Sequence, residues 1–249
     1  MRETEVVVIG LGAMGSAALY HLARQGVAPV GIEQFEVGHS LGSSHGHSRA
    51  FRTLYQEAVY TRLAEAAIPL WRDLELVSGE KLLNLTGMAI FAGEDNQKLQ
   101  TRIDVMDEVG SPYDLMTSRE VTARFPGLHP PDGSITCFID AGRCVMAHVS
   151  QARQRGATVH DQVEVLDIDL ANDRPEVVTT TDRYRCDRLV IAAGPWAARV
   201  LQDLDLPLRV TRQQKFYFRP RKPELYVPGR LPVYADYEKE FYGFPFYGP

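Results

Sequence analysis

The chain is predicted to be an α/β protein built on a parallel sheet, and three observations carry that expectation. A short apolar run, Val6-Val7-Val8-Ile9, breaks into Gly10-Leu11-Gly12-Ala13-Met14-Gly15 and continues with helical character to Gln25. Gly26 stops that segment, and a second apolar run from Val27 to Ile32 ends on Glu33. Far downstream, Leu189-Val190-Ile191-Ala192-Ala193-Gly194 reads as a fully buried strand ending in glycine, with Pro195-Trp196 and a helix over 197–204 behind it. Strand, G-x-G-x-x-G turn, helix and acid-tipped strand make a Rossmann-like unit that binds a dinucleotide.

Each position of the turn has a physical task. Gly10 permits backbone angles that a side chain would block, Gly12 lets a pyrophosphate approach the main chain, and Gly15 lets the helix pack closely on the strand. The helix start at Ala13 and Met14 offers unpaired N–H groups and a partial positive charge to phosphates. Glu33, with Gln34 beside it, can accept hydrogen bonds from an adenosine ribose. On these residues alone NAD and FAD are equally good occupants.

Composition bounds the rest. With 249 residues, 45% of them hydrophobic, the chain can build one large domain or two small ones. A net charge of −5 argues against a nucleic-acid partner. The N-terminus lacks a signal-peptide pattern, and no apolar run approaches the ~20 residues that span a bilayer, so no membrane association is expected. Cys137, Cys144 and Cys186 are odd in number and widely spaced, which suits neither a disulfide framework nor a metal site. Reducing cytoplasm is the expected setting.

Taken in order, the first helix carries Met14, Ala18 and Leu22 at four-residue spacing, with Ala17 beside them, for packing on the sheet. Gly42-Ser43-Ser44-His45-Gly46-His47-Ser48-Arg49-Ala50-Phe51-Arg52 is rich in hydroxyls and imidazoles and holds two arginines. A helix starting at Ser44 or His45 would put His45, Arg49 and Arg52 on one face, as an anion or flavin pocket or as a solvated face capped by Ser43 or Ser44. An amphipathic helix is expected over 57–76, with Val59, Leu63, Ala67, Leu70 and Leu74 on its apolar side and a bend at Pro69. Thr86–Phe91 reads as a strand, 95–109 as a helix with Leu99, Ile103 and Met106 inward, and Thr117 to Glu120 as a capping-box helix start. A strand over 134–139 and a short helix over 147–156 follow. Segments 157–160, 163–169 and 176–181 look like a small meander. The glycine end of 189–194 suits either a ligand at the sheet edge or a plain strand-to-helix turn. Past Pro207, Phe216–Phe218, Val233-Tyr234 and Phe241–Phe244 read as aromatic strands.

With both stretches in view, the sequence resembles the flavin-dependent amine oxidases of the D-amino-acid-oxidase superfamily, most closely the monomeric sarcosine oxidase and N-methyl-tryptophan oxidase group. The marks are the Gly10/Gly12/Gly15 turn, Glu33, Gly42–Arg52, Arg124-Phe125-Pro126-Gly127, Leu189–Trp196 and Phe241-Tyr242-Gly243-Phe244-Pro245. The resemblance implies an FAD-binding domain formed by 1–80 and 144–205, with an inserted β-rich α+β substrate domain formed by 81–143 and 206–249. It implies that Ser43, Ser44 and Ser48 contact the FAD phosphates or flavin surroundings, and that Arg49 lies against the flavin ring with His45 nearby. Arg52 would pair with the substrate carboxylate, Tyr242 would sit in the substrate pocket, and Val163 would contact the adenine side. Ala193, Gly194 and Trp196 would border the cofactor.

The implied activity is oxidation of the carbon–nitrogen bond of a secondary N-methyl amino acid such as sarcosine, with oxygen as acceptor. The partners are then a small amino-acid-like amine and oxygen. The family's chains run well over one hundred residues further. A flavin-linking cysteine, a second carboxylate-binding cation and an oxygen-activating lysine are therefore expected beyond Pro249. A dehydrogenase, an oxidase of a cyclic imino acid and a non-catalytic dinucleotide-binding remnant are the alternative expectations.

Overall fold

The computed structural model describes residues 1–246 except 47, 85, 94, 129–132, 135–137, 140, 203, 205 and 238; for 133–134, 138–139 and 141–144 it describes the backbone alone. The chain divides into two compact units. Unit 1 is formed by 1–46, 76–80 and 141–214, and unit 2 by 47–75, 81–140 and 215–249. Against the expected division, residues 47–75 group with the second unit. Within it, the Glu75 carboxylate accepts the N–H groups of Leu82 and Leu83 at 2.7 and 2.8 Å and pairs with Arg72.

Unit 1 is built on one six-stranded sheet. Strand β1 (Arg2–Ile9) runs into helix α1 (Ala13–Arg24) and then strand β2 (Val30–Ile32), parallel to β1. Helix α2 is Ala58–Ser78, its residues up to Glu75 belonging to unit 2, and in unit 2 strands β3 (Leu83–Asn84) and β4 (Met88–Phe91), helices α3 (Gln97–Val109) and α4 (Ser118–Arg124), and strands β5 (Gly133–Ser134) and β6 (Phe138–Ile139) follow. Helix α5 (Ala141–Gln154) returns the chain to unit 1, where strand β7 (Thr158–His160) pairs in parallel with β2. Strands β8 (Val165–Asp169), β9 (Glu176–Thr179) and β10 (Arg183–Ile191) complete the order β7-β2-β1-β10-β9-β8. Segment 157–160 is therefore the third parallel strand beside β1 and β2, not part of a meander. Helix α5 supplies the crossover that a parallel strand requires.

The sheet is held by side chains the apolar runs predict. Val7, Ile9, Val30, Ile32, Val163, Val177, Tyr184 and Cys186 form one buried cluster. The inward face of α1 differs from the expected one. Gly15, Ser16, Leu19, Tyr20 and Ala23 are buried, whereas Met14 is 79% exposed. Close approach to β1 decides the rotation of this helix. A Cβ at Gly15 would fall 1.8 Å from the Gly10 carbonyl oxygen, and one at Gly10 would fall 2.5 Å from that of Ala192.

In unit 2, β4 sits between β11 (Val233–Asp236), parallel to it, and β5, antiparallel; β12 (Phe241–Gly243) pairs antiparallel with β11. The capping box at Thr117 and Glu120 is present, and α3 starts at an Asn96 N-cap and ends at Gly110 in the left-handed region. On α3 it is Arg102, Val105 and Met106 that are buried, while Leu99 and Ile103 are half-buried. Three of the expected inward residues of α2 face solvent: Val59, Leu63 and Leu70 are exposed, and Thr61 and Leu74 are buried. Phe216–Phe218 forms no strand; its side chains are exposed, because no neighbouring strand among the described residues offers a ladder. Much of the expected strand 134–139 lies outside the described residues. Helix α6 (Ala197–Val200) is shorter than expected and follows a 3-10 turn over Gly194–Trp196.

The close backbone approach gives a stability test. Gly15→Ala is expected to cost about 3 kcal/mol by overpacking. Gly26→Ala, at φ +86° with open space around it, is expected to cost about 1–2 kcal/mol from the left-handed angle alone. Urea unfolding checks the order, and a Gly15→Ala protein at least as stable as Gly26→Ala contradicts it.

A second test comes from the α1–α5 interface, where His148 is buried with its ring 5.6 Å from that of Tyr20. Burial, with the His21 charge adding to it, lowers the His148 pKa from 6.5 to about 4. Between those values the unfolded chain binds a proton that the folded chain refuses. Stability is therefore complete above pH 6.5 and falls as pH drops towards 4, by about 3 kcal/mol. His148→Asn should flatten that slope in urea titrations at a series of pH values; an unchanged slope counts against this account.

Candidate dinucleotide site

The C-terminal ends of the parallel strands β1, β2 and β10 meet at one cavity of about 710 Å³ within unit 1. Two backbone bonds lock this edge: Gly10 N–H donates to the Ile32 carbonyl at 2.8 Å, and Ala192 N–H donates to the Ile9 carbonyl at 2.7 Å. In an open α/β sheet the crevice at such strand ends is where a ligand binds. Val190 and Ile191 line the cavity, which is why the end of β10 is half-buried rather than fully buried as expected.

The structure brings most of the expected cofactor residues to this cavity. Gly10, Gly12, Ala13, Met14, Glu33, Gln34, Ser43, Ser44, Val163, Ala193, Gly194 and Trp196 all line it. Gly12 caps α1 without a side chain, and a Cβ there would stand 3.1 Å from Ser44 Oγ. The bare backbone at Gly12 and the N-terminus of α1 are thus available to a phosphate, with the helix dipole favouring negative charge. One of the expected unpaired donors is taken, since Ala13 N–H donates to Ser44 Oγ at 2.9 Å. Gly15 lies beneath the turn, buried against Gly10, and is absent from the lining.

Glu33 is only 5% exposed, and both carboxylate oxygens are held by the main chain. Oε2 accepts the Leu11 N–H at 2.8 Å and Oε1 accepts the Phe35 N–H at 3.1 Å. The acid therefore ties the glycine turn after β1 to the loop after β2, and each oxygen keeps lone-pair capacity for a ribose hydroxyl. Val163, on the far side, donates its N–H to the Glu33 carbonyl at 2.9 Å.

Sequence reasoning missed the loop that closes this side. His39 lines the cavity, its Nδ1 accepting the Leu41 N–H at 3.0 Å and its Nε2 standing 3.6 Å from Glu33 Oε1. The accepted bond at Nδ1 places the ring proton on Nε2, facing the carboxylate. Phe35 and Trp196 hold the imidazole, with ring centroids 4.7 and 6.3 Å from it. A Cβ at Gly42 would stand 3.3 Å from His39 and 3.6 Å from Trp196. The available signal was an imidazole between an acid-tipped strand and a glycine.

The expected helix through His45, Arg49 and Arg52 does not form. Ser44 spends its hydroxyl on Ala13, across 31 positions, rather than on a cap of its own, and Gly46 has φ +92°, outside any right-handed helix. His45 belongs to unit 1 without lining the cavity, whereas Ser48, Arg49, Arg52 and Tyr242 belong to unit 2. There, the Arg52 guanidinium lies over the Tyr55 ring at 4.7 Å, and Arg49 donates to the Ser48 carbonyl at 3.4 Å. Tyr242, on β12, is exposed beside Phe244, with ring centroids 5.7 Å apart. Among the described residues no group of His, Cys, Asp and Glu could hold a metal ion, and no helix is long and apolar enough to cross a membrane.

Comparison with known proteins shows the family. A family model described as FAD dependent oxidoreductase, DAO, matches residues 5–248. A monomeric sarcosine oxidase of Streptomyces avermitilis is 30% identical over 97% of this chain and 66% of its own length. The human peroxisomal sarcosine oxidase is 32% identical over 89% of this chain and 59% of its own. The present chain thus spans less than two thirds of these relatives. Among solved structures, NikD, described as an unusual amino acid oxidase essential for nikkomycin biosynthesis, superposes with a TM-score of 0.72 at 25% identity, covering 82% of this chain and 55% of its own. L-proline dehydrogenase from P. horikoshii gives 0.78 at 19% identity over 97% of this chain and 66% of its own, a likeness of fold.

The double anchoring of Glu33 predicts the effect of a conservative change. Glu33→Gln turns one acceptor into an NH₂ that faces a backbone donor. The expected loss is about 1–3 kcal/mol of stability, read from urea unfolding. A protein unchanged in midpoint contradicts the anchoring role.

Proposed function

The chain belongs to the DAO family of FAD-dependent oxidoreductases, and from that membership we propose that it oxidises the carbon–nitrogen bond of a secondary N-methyl amino acid such as sarcosine, with oxygen as acceptor. The observation that carries the proposal is the cavity at the strand ends, where a glycine turn, a helix N-terminus and a main-chain-anchored Glu33 face one another. The similarity to sarcosine oxidases supports the substrate class.

The residues fit an adenine dinucleotide. The side-chain-free cradle at Gly10 and Gly12, together with Ala13 and Met14, would receive the pyrophosphate, with Ser43 and Ser44 at its side. Glu33 and Gln34 would hold the ribose, Val163 would border the adenine, and Ala193, Gly194 and Trp196 would close the opposite wall. FAD, when bound, supplies the two-electron chemistry that removes hydrogen from the amine and passes electrons to oxygen.

The protein's own groups orient and neutralise. Ser48 and Arg49, with His45 nearby, would face the flavin end, where a cation stabilises the anionic reduced state. Arg52 would grip the substrate carboxylate, for which a planar guanidinium fork is suited. Tyr242 would border the amine. An amine bound in its neutral form needs no general base on this chain.

Two measurements test this reading. The purified protein is expected to release hydrogen peroxide with sarcosine and none with proline; the reverse preference, or none with either, contradicts it. Arg52→Ala is expected to raise KM for sarcosine about 10-fold or more while leaving the bound cofactor's stoichiometry unchanged. Equal KM values in variant and parent count against the assigned role.

A further inference from the structure

The cavity of unit 1 is lined by a hydrogen-bond donor whose proton no atom of the described residues receives. His39 lines that cavity, and its side chain keeps 17% exposure, so a ligand there can reach the ring. Its two nitrogens are in different states. Nδ1 accepts the Leu41 N–H at 3.0 Å, which leaves the ring proton on Nε2. Nε2 faces Glu33 Oε1 at 3.6 Å, beyond hydrogen-bond distance. The ring is held in that attitude by Phe35 and Trp196, and bare Gly42 leaves room for it, since a Cβ there would stand 3.3 Å away.

Glu33 is the acceptor half of the same corner. Its Oε1 accepts one bond, from the Phe35 N–H at 3.1 Å, and keeps a second lone pair. This donor and this acceptor do not satisfy each other, yet a hydroxyl between them satisfies both. Its hydrogen goes to the carboxylate while its oxygen accepts from the imidazole. An oxygen about 2.8 Å from each atom fits a gap of 3.6 Å. A phosphate oxygen can use only the imidazole and meets the Glu33 charge, and an ammonium can use only the carboxylate. The pair therefore selects a neutral hydroxyl. We propose that His39 is a cofactor-binding residue that reads one ribose hydroxyl jointly with Glu33, the hydroxyl donating to Oε1 and accepting from Nε2–H. This rests on the reading of the cavity as the seat of the adenosine half of FAD.

Two substitutions separate this role from a merely structural one. His39→Asn carries an amide oxygen where the ring carries Nδ1, so it keeps the Leu41 bond and loses the donor facing Glu33. His39→Gln brings an amide nitrogen near the position of Nε2, so it keeps the donor and gives up the Leu41 bond. The readout is displacement of FAD from the purified holoprotein, followed as the rise of flavin fluorescence on addition of ADP, 2′-deoxy-ADP or 3′-deoxy-ADP. In the parent, one deoxy analogue is expected to need about 10-fold or more of the ADP concentration for half release. In His39→Asn that ratio is expected to shrink about fivefold, and in His39→Gln to stay within about twofold of the parent's. The ratio is the diagnostic quantity, because a loosened loop weakens all three nucleotides alike. Equal ratios in the parent and His39→Asn overturn the role of His39. Deoxy analogues that both match ADP in the parent overturn it too, while release by ADP leaves the cavity reading standing. If ADP displaces no FAD, the cavity reading fails and the role of His39 falls with it.

Discussion

The contact between Gly15 and the Gly10 carbonyl is the constraint on which unit 1 depends. A Cβ at Gly15 would fall 1.8 Å from that oxygen, so the helix can lie against its own turn only because no side chain is there. The approach fixes the rotation of α1 and puts Leu19, Tyr20 and Ala23 into the core. It also aims the N-terminus of α1 at the cavity beyond β1. Gly10, pressed against the Ala192 carbonyl, extends the same constraint to β10 and sets the opposite wall. Phosphate chemistry and core packing are therefore consequences of one backbone approach.

Glu33 joins that turn to the rest of the sheet edge. A carboxylate at the tip of a strand is usually read as a ligand group. Here its oxygens also hold Leu11 and Phe35, and the loop to His39 folds over it. Ligand recognition and local architecture share one side chain, so the loss of Glu33 would disturb both.

How much of this was legible in the sequence depended on how local each cause is. The glycine turn, Glu33, the capping box at Thr117 and Glu120, and the strand at 88–91 follow from steric and hydrogen-bonding rules that act within a few residues. The inward face of α1 was not legible from hydropathy, because the decisive residues, Gly15 and Ser16, are not apolar. Residues 44–52 looked helical by spacing, yet Ser44 is committed to Ala13, a partner only the fold brings near. By sequence alone strand β7 reads as part of a meander, because its parallel pairing depends on α5 and on β2, more than a hundred positions away.

The central claim is that the cavity beyond β1, β2 and β10 holds FAD. The most direct measurement is the visible absorption spectrum of the purified protein, followed by heat release and mass analysis of the bound nucleotide. The account predicts flavin absorption and FAD as the released molecule, both lost when Gly12→Val fills the phosphate cradle. A colourless protein, or one that releases NAD, would contradict it.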